Sequence, residues 1–149
     1  DGQIVLDARQ FQSGQRPAVD VGRSVSRVGA RTQPKVLRQL AEQLKLEYAQ
    51  FLELEAFTRF GGLVDERTRQ TVERGRRLRL LLAQRQGRPR SLGAEVALLL
   101  AHDENLTDGL ELDTVERVRD AIAAHVDGTD PTDMDALRHI IAKAKDATG

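Results

Sequence analysis

The sequence contains no cysteine and no tryptophan, and aromatic residues make up only 3% of its 149 residues. Without cysteine the chain cannot form a disulfide framework, a thiolate metal site or a cysteine nucleophile. With so few aromatic side chains, the core must be built from leucine, valine, isoleucine and alanine, which favours packed helices. No apolar run approaches the roughly 20 residues that cross a bilayer, and no signal peptide is visible. We therefore expect no membrane insertion.

Neither positive nor negative charge is in excess, because 23 basic residues balance 23 acidic ones. A neutral chain has no global field that would attract nucleic acid, so we expect no nucleic-acid partner. Arginine nevertheless accounts for 19 of the basic residues. Its fork of N–H donors suits phosphates and carboxylates, but GC-rich coding produces the same bias, and we favour the coding explanation.

From Pro34 onward, apolar residues recur at three- and four-residue steps, which indicates one buried face on each of several helices. Five helices are predicted, with start signals at Pro34, at Asp65, at Ser91, at Asp113 with Glu116, and at Thr132 with Asp135. The first is expected to be long and to end at Gly61–Gly62, with an apolar stripe of Leu37, Leu40, Leu44, Tyr48 and Phe51.

Before Pro34 the only strand pattern is Ile4–Leu6, and residues 7–33 are predicted to be loop with short strand or helical pieces. A lone strand cannot satisfy its own edges and needs a sheet. Together with a start at Asp1 rather than methionine, this predicts that the chain is a piece of a longer protein. The expected fold class is mainly α, a bundle of about five helices behind a short strand and loop segment.

Four ordered segments carry a specific pattern: DGQI at 1–4, GQRPAVDVGRSVSRVG at 14–29, ELEAFTRFG at 53–61 and ERGRRL at 73–78. They resemble the alpha subunits of F-type ATP synthases, in which the second segment reads G-x-R-P-A-x-x-V-G-x-S-V-S-R-V-G. Each segment alone is a weak signal. Four of them in the right order over nearly 80 residues are specific.

The resemblance implies that residues 1–33 are the last part of an α/β nucleotide-binding domain and that residues 34–149 form the C-terminal helical bundle. It implies a non-catalytic subunit of the F1 head, with beta and gamma subunits as partners. The whole complex would couple ATP synthesis or hydrolysis to proton or sodium transport, as a peripheral assembly on the cytoplasmic face of a bacterial inner membrane.

Arg27 lies at the position where these alpha subunits carry an arginine finger, which reaches the γ-phosphate of nucleotide bound by the neighbouring beta subunit. A loose phosphoryl transition state spreads negative charge over its equatorial oxygens, and a permanently charged guanidinium stabilises that charge. The resemblance also implies that Val25 and Ser26 line the same interface. Arg27 is therefore the expected catalytic residue.

Arg16, Pro17, Gln84 and Gln86 match family positions that line the adenine pocket of the alpha subunit's own nucleotide site. An amide can bond the adenine edge, and a proline ring supplies an apolar face. The chain departs from the family after these glutamines, because residues 87–90 read GRPR where a tyrosine and a proline are usual.

The P-loop pattern G-x-x-x-x-G-K-[ST] is absent, and no Gly-Lys pair occurs. We therefore expect no ATP hydrolysis and no cofactor in this chain alone, whereas ATP or ADP with Mg²⁺ belongs to the full complex. Residues 103–109 imitate a calcium loop, but Gly109 falls one position late and Thr114 stands where the loop needs glutamate. No metal site is predicted.

Further departures point to an alternate bacterial alpha subunit. Arg23 replaces a usual leucine, and Arg23, Arg27 and Arg31 fall at four-residue spacing as a possible basic strip. Residues 61–65 occupy the loop that faces the gamma subunit in the family.

Two rival interpretations stay open. One is a stand-alone helical module that binds protein, or nucleic acid through this strip and the Arg74–Arg79 group. The other is a beta or vacuolar-type subunit, against which the SVSRVG segment at residues 24–29 favours alpha.

Overall fold

A computed structural model describes residues 2–61 and 64–148 and confirms the predicted fold class. The N-terminal part holds two short antiparallel strands, β1 (Gly2–Gln3) and β2 (Val25–Ser26), and two short helices, α1 (Ala8–Gln12) and α2 (Gly29–Thr32). The rest is helical, and its elements are α3 (Lys35–Ala41), α4 (Leu44–Arg59), α5 (Glu66–Leu82), α6 (Leu92–Asp103), α7 (Leu112–His125) and α8 (Met134–Asp146).

The predicted strand Ile4–Leu6 is wrong in extent. Gly2 pairs with Ser26 and Gln3 with Val25, while Leu6 forms only an isolated bridge with Val19. The strand does not continue through position 5, because the Val5 amide donates to the Ser24 hydroxyl at 3.0 Å instead of to a neighbouring strand.

The prediction of one long first helix is also wrong in part, because the structure divides this segment into two helices, α3 and α4, at residues 42–43. The predicted stripe serves two separate cores. Leu37 and Leu40 of α3 pack against the core around α6, whereas Tyr48 and Phe51 of α4 belong to a second core with Val72 and Leu78 of α5. The break lets each half face its own core.

Helix α6 lies at the centre of the bundle, in contact with α3, α5, α7 and α8. Nine of its twelve residues are buried, including Val96, Ala97, Leu98 and Ala101. A helix that is apolar around most of its circumference is stable only where other helices cover it. The sequence of α6 therefore fixes its place in the middle of the core.

Two predicted helix starts are confirmed. Asp65 accepts the Thr68 amide at 2.8 Å, and Ser91 accepts the Ala94 amide at 3.2 Å, as N-cap side chains do. Two others are wrong by one or two residues. Helix α7 begins after Glu111, so Asp113 lies inside its first turn. Asp133, and not Thr132, caps α8 by accepting the Ala136 amide at 2.9 Å.

The predicted end of the first long helix is correct at Gly61, which follows the C-cap Phe60 with a φ of +79°. Glycine adopts this left-handed conformation at little cost and therefore ends helices readily. Gly62 and Leu63, which belong to the predicted gamma-facing loop, lie outside the described residues, as does Asp1 of the predicted DGQI strand segment.

Candidate functional site

The candidate catalytic residue Arg27 directly follows β2, and its side chain is exposed. A tight turn follows the strand, in which the Ser26 hydroxyl accepts the Gly29 amide at 3.1 Å. A Cβ at position 29 would collide with that hydroxyl, so a larger residue there would displace the Ser26 side chain from this hydrogen bond. On either side of Arg27, Val25 is 47% exposed and Val28 is 60% exposed. The turn therefore carries an exposed arginine that is flanked in the sequence by two exposed apolar residues.

The segment that carries Arg27 is anchored to the rest of the molecule by side chains. Lys45 of α4 donates from Nζ to the Ser24 carbonyl at 3.1 Å, and Gln3 donates to the Arg23 carbonyl at 3.4 Å. Val25 and Ser26 line a cavity of about 410 Å³ that Lys45 also borders. Arg27 is not among the residues that line this cavity. Its position relative to the helical bundle is thus fixed through its neighbours.

The four residues predicted to line an adenine pocket lie together in one groove. This groove has a volume of about 590 Å³ and is lined by Phe11, Arg16, Pro17, Gln84, Arg85, Gln86, Gly87, Arg88 and Pro89. The main-chain amide of Gln84 donates to the Arg16 carbonyl at 2.8 Å. This hydrogen bond joins the N-terminal part to the loop after α5. Their roles stay a prediction, but the residues are neighbours.

Arg16 is held firmly at the edge of this groove. Its guanidinium carbon lies 3.7 Å from the centre of the Phe11 ring, and Nη1 donates to the Phe11 carbonyl at 2.7 Å and to the Gln15 carbonyl at 2.9 Å. The Phe11 ring covers one face of the guanidinium, and the two carbonyls accept from its Nη1. Pro17 beside it is exposed.

Comparison with known proteins identifies the family of this chain. The family described as "ATP synthase alpha/beta chain, C terminal domain" matches residues 33–148. The chain belongs to this family. The predicted resemblance to the C-terminal region of alpha subunits is therefore confirmed.

Curated relatives agree with the alpha assignment. "ATP synthase subunit alpha 3" of Paraburkholderia xenovorans (strain LB400) is 50% identical over 127 residues, which is 85% of this chain and 24% of the relative. "ATP synthase subunit alpha 2" of Burkholderia pseudomallei (strain 1710b) is also 50% identical over 127 residues, covering 85% of the chain and 19% of the relative. The chain thus spans about a quarter or less of the length of these relatives.

Sequence reasoning missed a buried ion cluster in this ATP synthase alpha/beta C-terminal domain. Glu55 of α4 is only 7% exposed, and Arg79 of α5 bonds both of its carboxylate oxygens, at 3.1 and 2.6 Å. Arg59 and Arg76 lie 3.8 and 3.7 Å from the same carboxylate. Burial alone would raise the pKa of Glu55, but these guanidinium groups, Arg79 foremost, hold it below its ordinary value. The cluster ties α4 to α5.

A second missed cluster surrounds His102, which is 5% exposed near the end of α6. Its Nε2 lies 2.8 Å from a carboxylate oxygen of Glu47 in α4. Arg74 of α5 pairs with Glu47 and Asp108, both at 3.8 Å, and donates to the His102 carbonyl at 3.2 Å. Burial lowers the pKa of His102, and the Glu47 hydrogen bond opposes this only in part. These residues line a groove of about 510 Å³.

The acidic stretches that resemble metal sites have other partners. Asp130 accepts the amide and hydroxyl of Thr132 at 2.8 and 2.7 Å, and Asp133 caps α8. Asn105 accepts a hydrogen bond from Arg74. Across residues 2–61 and 64–148, no group of three or more histidine, aspartate and glutamate side chains is arranged to hold a metal ion. None of the helices in these ranges is long and apolar enough to cross a bilayer.

Proposed function

We propose that this chain is the C-terminal part of a non-catalytic alpha subunit in the F1 head of an ATP synthase, and that Arg27 acts as its arginine finger. In this proposal the guanidinium reaches nucleotide held by a neighbouring beta subunit. The observation that carries the proposal is the exposed Arg27 on an anchored turn, flanked by exposed Val25 and Val28.

The surroundings of Arg27 suit a contact between subunits. Val25 and Val28 expose apolar side chains within two residues of Arg27, and burial of such side chains favours association with a partner. A guanidinium in such a surface becomes shielded from water when the partner docks, and its charge then acts more strongly on nearby phosphate oxygens. The turn would thus supply a charge that the neighbouring active site lacks until the subunits meet.

The proposal extends to the rest of the complex. Partners would be beta and gamma subunits, and the assembly would use ATP or ADP with Mg²⁺ while moving protons or sodium ions. Arg16, Pro17, Gln84 and Gln86 would border the base of a nucleotide bound by the alpha subunit itself. Their common groove supports this part, since it brings all four residues together.

The alternative of a nucleic-acid-binding module has less support. Four arginines of α5 that would have to face a phosphate backbone instead contact the protein itself: Arg74, Arg76, Arg77 and Arg79. The three arginines of the basic strip are exposed, but they do not lie along one helix. Arg23 lies in a turn, Arg27 follows β2, and Arg31 belongs to α2.

Arg27→Ala in the full-length alpha subunit, assembled with its beta and gamma partners, tests the finger assignment. Steady-state ATP hydrolysis should fall by about 10³ to 10⁵, the usual contribution of an arginine finger. Nucleotide occupancy, measured after rapid gel filtration, should change little, because the finger stabilises the transition state more than the bound substrate.

Arg23→Ala and Arg31→Ala are matched controls, because each removes an exposed arginine four residues from Arg27. Both should leave hydrolysis within a few-fold of the parent complex. If Arg27→Ala hydrolyses ATP as fast as these controls do, the assignment of the finger to Arg27 is wrong.

A further inference from the structure

The turn that carries Arg27 is tied to the helical bundle at Ser24. Lys45 of α4 donates from Nζ to the Ser24 carbonyl at 3.1 Å. Ser24 directly precedes β2 and lies three residues before Arg27. In the part of the chain that the structure describes, Lys45 is the bundle residue that makes a hydrogen bond to residues 23–26. A hydrogen-bonded path from the bundle to Arg27 therefore runs through this contact.

Ser24 is held at all of its polar groups. Its amide and its hydroxyl both donate to the Asp20 carbonyl, at 3.0 and 2.5 Å, and its hydroxyl accepts from the Val5 amide at 3.0 Å. Its carbonyl is the acceptor for Lys45. Networks of this kind, joined to regular secondary structure, pass a displacement on to their neighbours. Since the paired strand β2 separates Ser24 from Arg27, a movement of Ser24 also moves the base of the Arg27 side chain.

The other end of the link is fixed by the core between α4 and α5. Tyr48, which lies less than one helical turn from Lys45, is 3% exposed, and Phe51 is 1% exposed. Both belong to the core cluster that includes Val72 and Leu78 of α5. The backbone of Lys45 therefore keeps the position that the packing of α4 gives it.

The charge of Lys45 has little use within α4 itself. Lys45 is the second residue of the helix, where the positive end of the helix dipole disfavours a cation. Glu47, the carboxylate in the same turn, pairs with Arg74 and His102 instead. Among the described residues Lys45 takes part in no ion pair, so the Ser24 carbonyl is the partner of its ammonium group.

An arginine finger depends on the accurate placing of its guanidinium. An error of about 1 Å in the position of a catalytic group can cost about 100-fold in rate. A hydrogen bond from a charged donor shifts an equilibrium by about 10- to 100-fold, and an exposed one such as that of Lys45 lies at the lower end. Loss of this bond would let the turn occupy positions in which Arg27 does not reach phosphate.

We propose that Lys45 is a positioning residue, which holds the Arg27 turn at a fixed place relative to α4. It contacts neither nucleotide nor the reacting atoms, and it acts on ATP hydrolysis through Arg27. The inference rests on the proposed finger role of Arg27. It makes the position of the finger depend on that of α4, so that a shift of the bundle would reach Arg27 through Ser24.

Lys45→Met in the full-length alpha subunit, assembled with its beta and gamma partners, tests this role. Methionine keeps an unbranched side chain and removes the donor. We expect kcat for ATP hydrolysis to fall by about tenfold, with KM changed by less than about twofold. Lys45→Arg should recover most of the rate, because a single contact with a carbonyl needs a cationic N–H donor and no particular fork. Lys35→Met, which removes an exposed lysine from α3, is the matched control and should hydrolyse at the parent rate.

The double variant of Lys45→Met with Arg27→Ala separates positioning from an independent effect. Single-turnover hydrolysis should be no slower in the double variant than in Arg27→Ala alone, because no finger remains to be positioned. A further loss of about tenfold in the double variant would show that Lys45 acts without Arg27, and the inference would be overturned.

Hydrogen exchange provides a measurement that does not depend on assembly of the complex. In the full-length alpha subunit, Lys45→Met should make residues 23–29 exchange up to about tenfold faster, while α5 and α6 keep their protection. Lys35→Met should leave both regions unchanged. If residues 23–29 exchange equally fast in the two variants, Lys45 does not hold the turn.

Failure of this inference differs from failure of the proposed function. If Arg27→Ala slows hydrolysis but Lys45→Met behaves as Lys35→Met does, the positioning role is wrong and the finger stands. If Arg27→Ala does not slow hydrolysis, the finger assignment is wrong, and Lys45 has nothing to position. If Lys45→Met raises KM and leaves kcat unchanged, Lys45 contributes to substrate binding, and the positioning role is again wrong.

Discussion

Gly75, in the middle of α5, offers a sharp test of how α4 and α5 pack. An ideal Cβ at this position would overlap Cγ and Cδ2 of Phe51 and lie 2.6 Å from its Cβ, whereas non-bonded carbons prefer about 3.5–4.0 Å. The Phe51 ring therefore lies directly on the backbone of α5. We predict that Gly75→Ala destabilises the protein, although alanine is a better helix former than glycine.

The magnitude follows from two opposing effects. Glycine to alanine in a helix interior stabilises by about 1 kcal/mol through helix propensity. Phe51 cannot move aside easily, because it is 1% exposed, lies under the Arg79 guanidinium at 4.5 Å and contacts the Tyr48 ring, whose centroid is 5.6 Å away. Overpacking of a core costs about 1–3 kcal/mol, and more where no neighbour can yield. We expect a net loss of about 1–2 kcal/mol.

Urea unfolding followed by circular dichroism measures this loss, and the midpoint of thermal unfolding should fall by about 2–4 °C per kcal/mol. Gly93→Ala is the matched control. Gly93 is also a buried helical glycine, but its added Cβ would lie 3.4 Å from Val126 Cγ2, close to ordinary contact. This variant should be neutral or slightly more stable.

A double variant separates a steric cause from a general one. Phe51→Leu shortens the side chain that blocks position 75, so Gly75→Ala should cost less in that background than alone, giving a coupling energy of about 0.5 kcal/mol or more. If Gly75→Ala stabilises the protein as Gly93→Ala does, Phe51 does not block position 75. The same conclusion follows if the effects of Gly75→Ala and Phe51→Leu on the free energy of unfolding are additive.

Two further predictions concern the buried ionisable groups. Glu55→Gln should lower the free energy of unfolding by about 1–3 kcal/mol near neutral pH, because three guanidinium groups lose their carboxylate. Since the folded pKa of Glu55 is below its ordinary 4.5, its contribution is present above that value and is lost as the pH falls through the folded pKa, so parent and variant should converge in acid-titrated urea unfolding. His102 has a folded pKa below 6.5, so the unfolded chain takes up the proton first and stability should decline as the pH falls below about 6.5. His102→Gln should flatten this decline, and an unchanged slope would show that another group causes it.

Periodicity and capping chemistry predicted the helical bundle well, because both act within a few residues of sequence. Asp65 and Ser91 are followed directly by helical apolar patterns, and both cap as expected. Thr132 does not cap α8 because its hydroxyl is bound by Asp130, which leaves Asp133 to do so. Competition between neighbouring polar side chains decides such cases, and a pattern does not reveal it.

The break between α3 and α4 could not be predicted from the sequence. Residues 42 and 43 keep helical dihedral angles, with φ of −60° and −86°, and neither is glycine or proline. What divides the helix is the presence of two cores, and only the tertiary structure defines them. The burial of Glu55, by contrast, could be predicted from the sequence, because Glu55 continues the buried stripe of Tyr48 and Phe51 at helical spacing. A carboxylate on an apolar face predicts a buried cationic partner.

Candidate-site residues were predicted through resemblance rather than through folding physics. Composition and spacing do not indicate that Arg16 lies next to Gln84, since the amide-to-carbonyl bond between them joins distant parts of the chain. The roles of Arg27 and of the base pocket depend on partners and ligands, and the experiments above test the role of Arg27.

The arginine excess has a structural use, whatever part coding bias plays in it. Several guanidinium groups donate across the molecule to main-chain carbonyls: Arg74 to His102, Arg77 to Leu110, Arg90 to Leu81, and Arg119 to Leu80. A carbonyl is present whatever side chain the accepting residue carries. The hydrogen bond itself therefore places no demand on the side chain of the accepting residue, whereas the donor must retain a long, forked, permanently charged side chain.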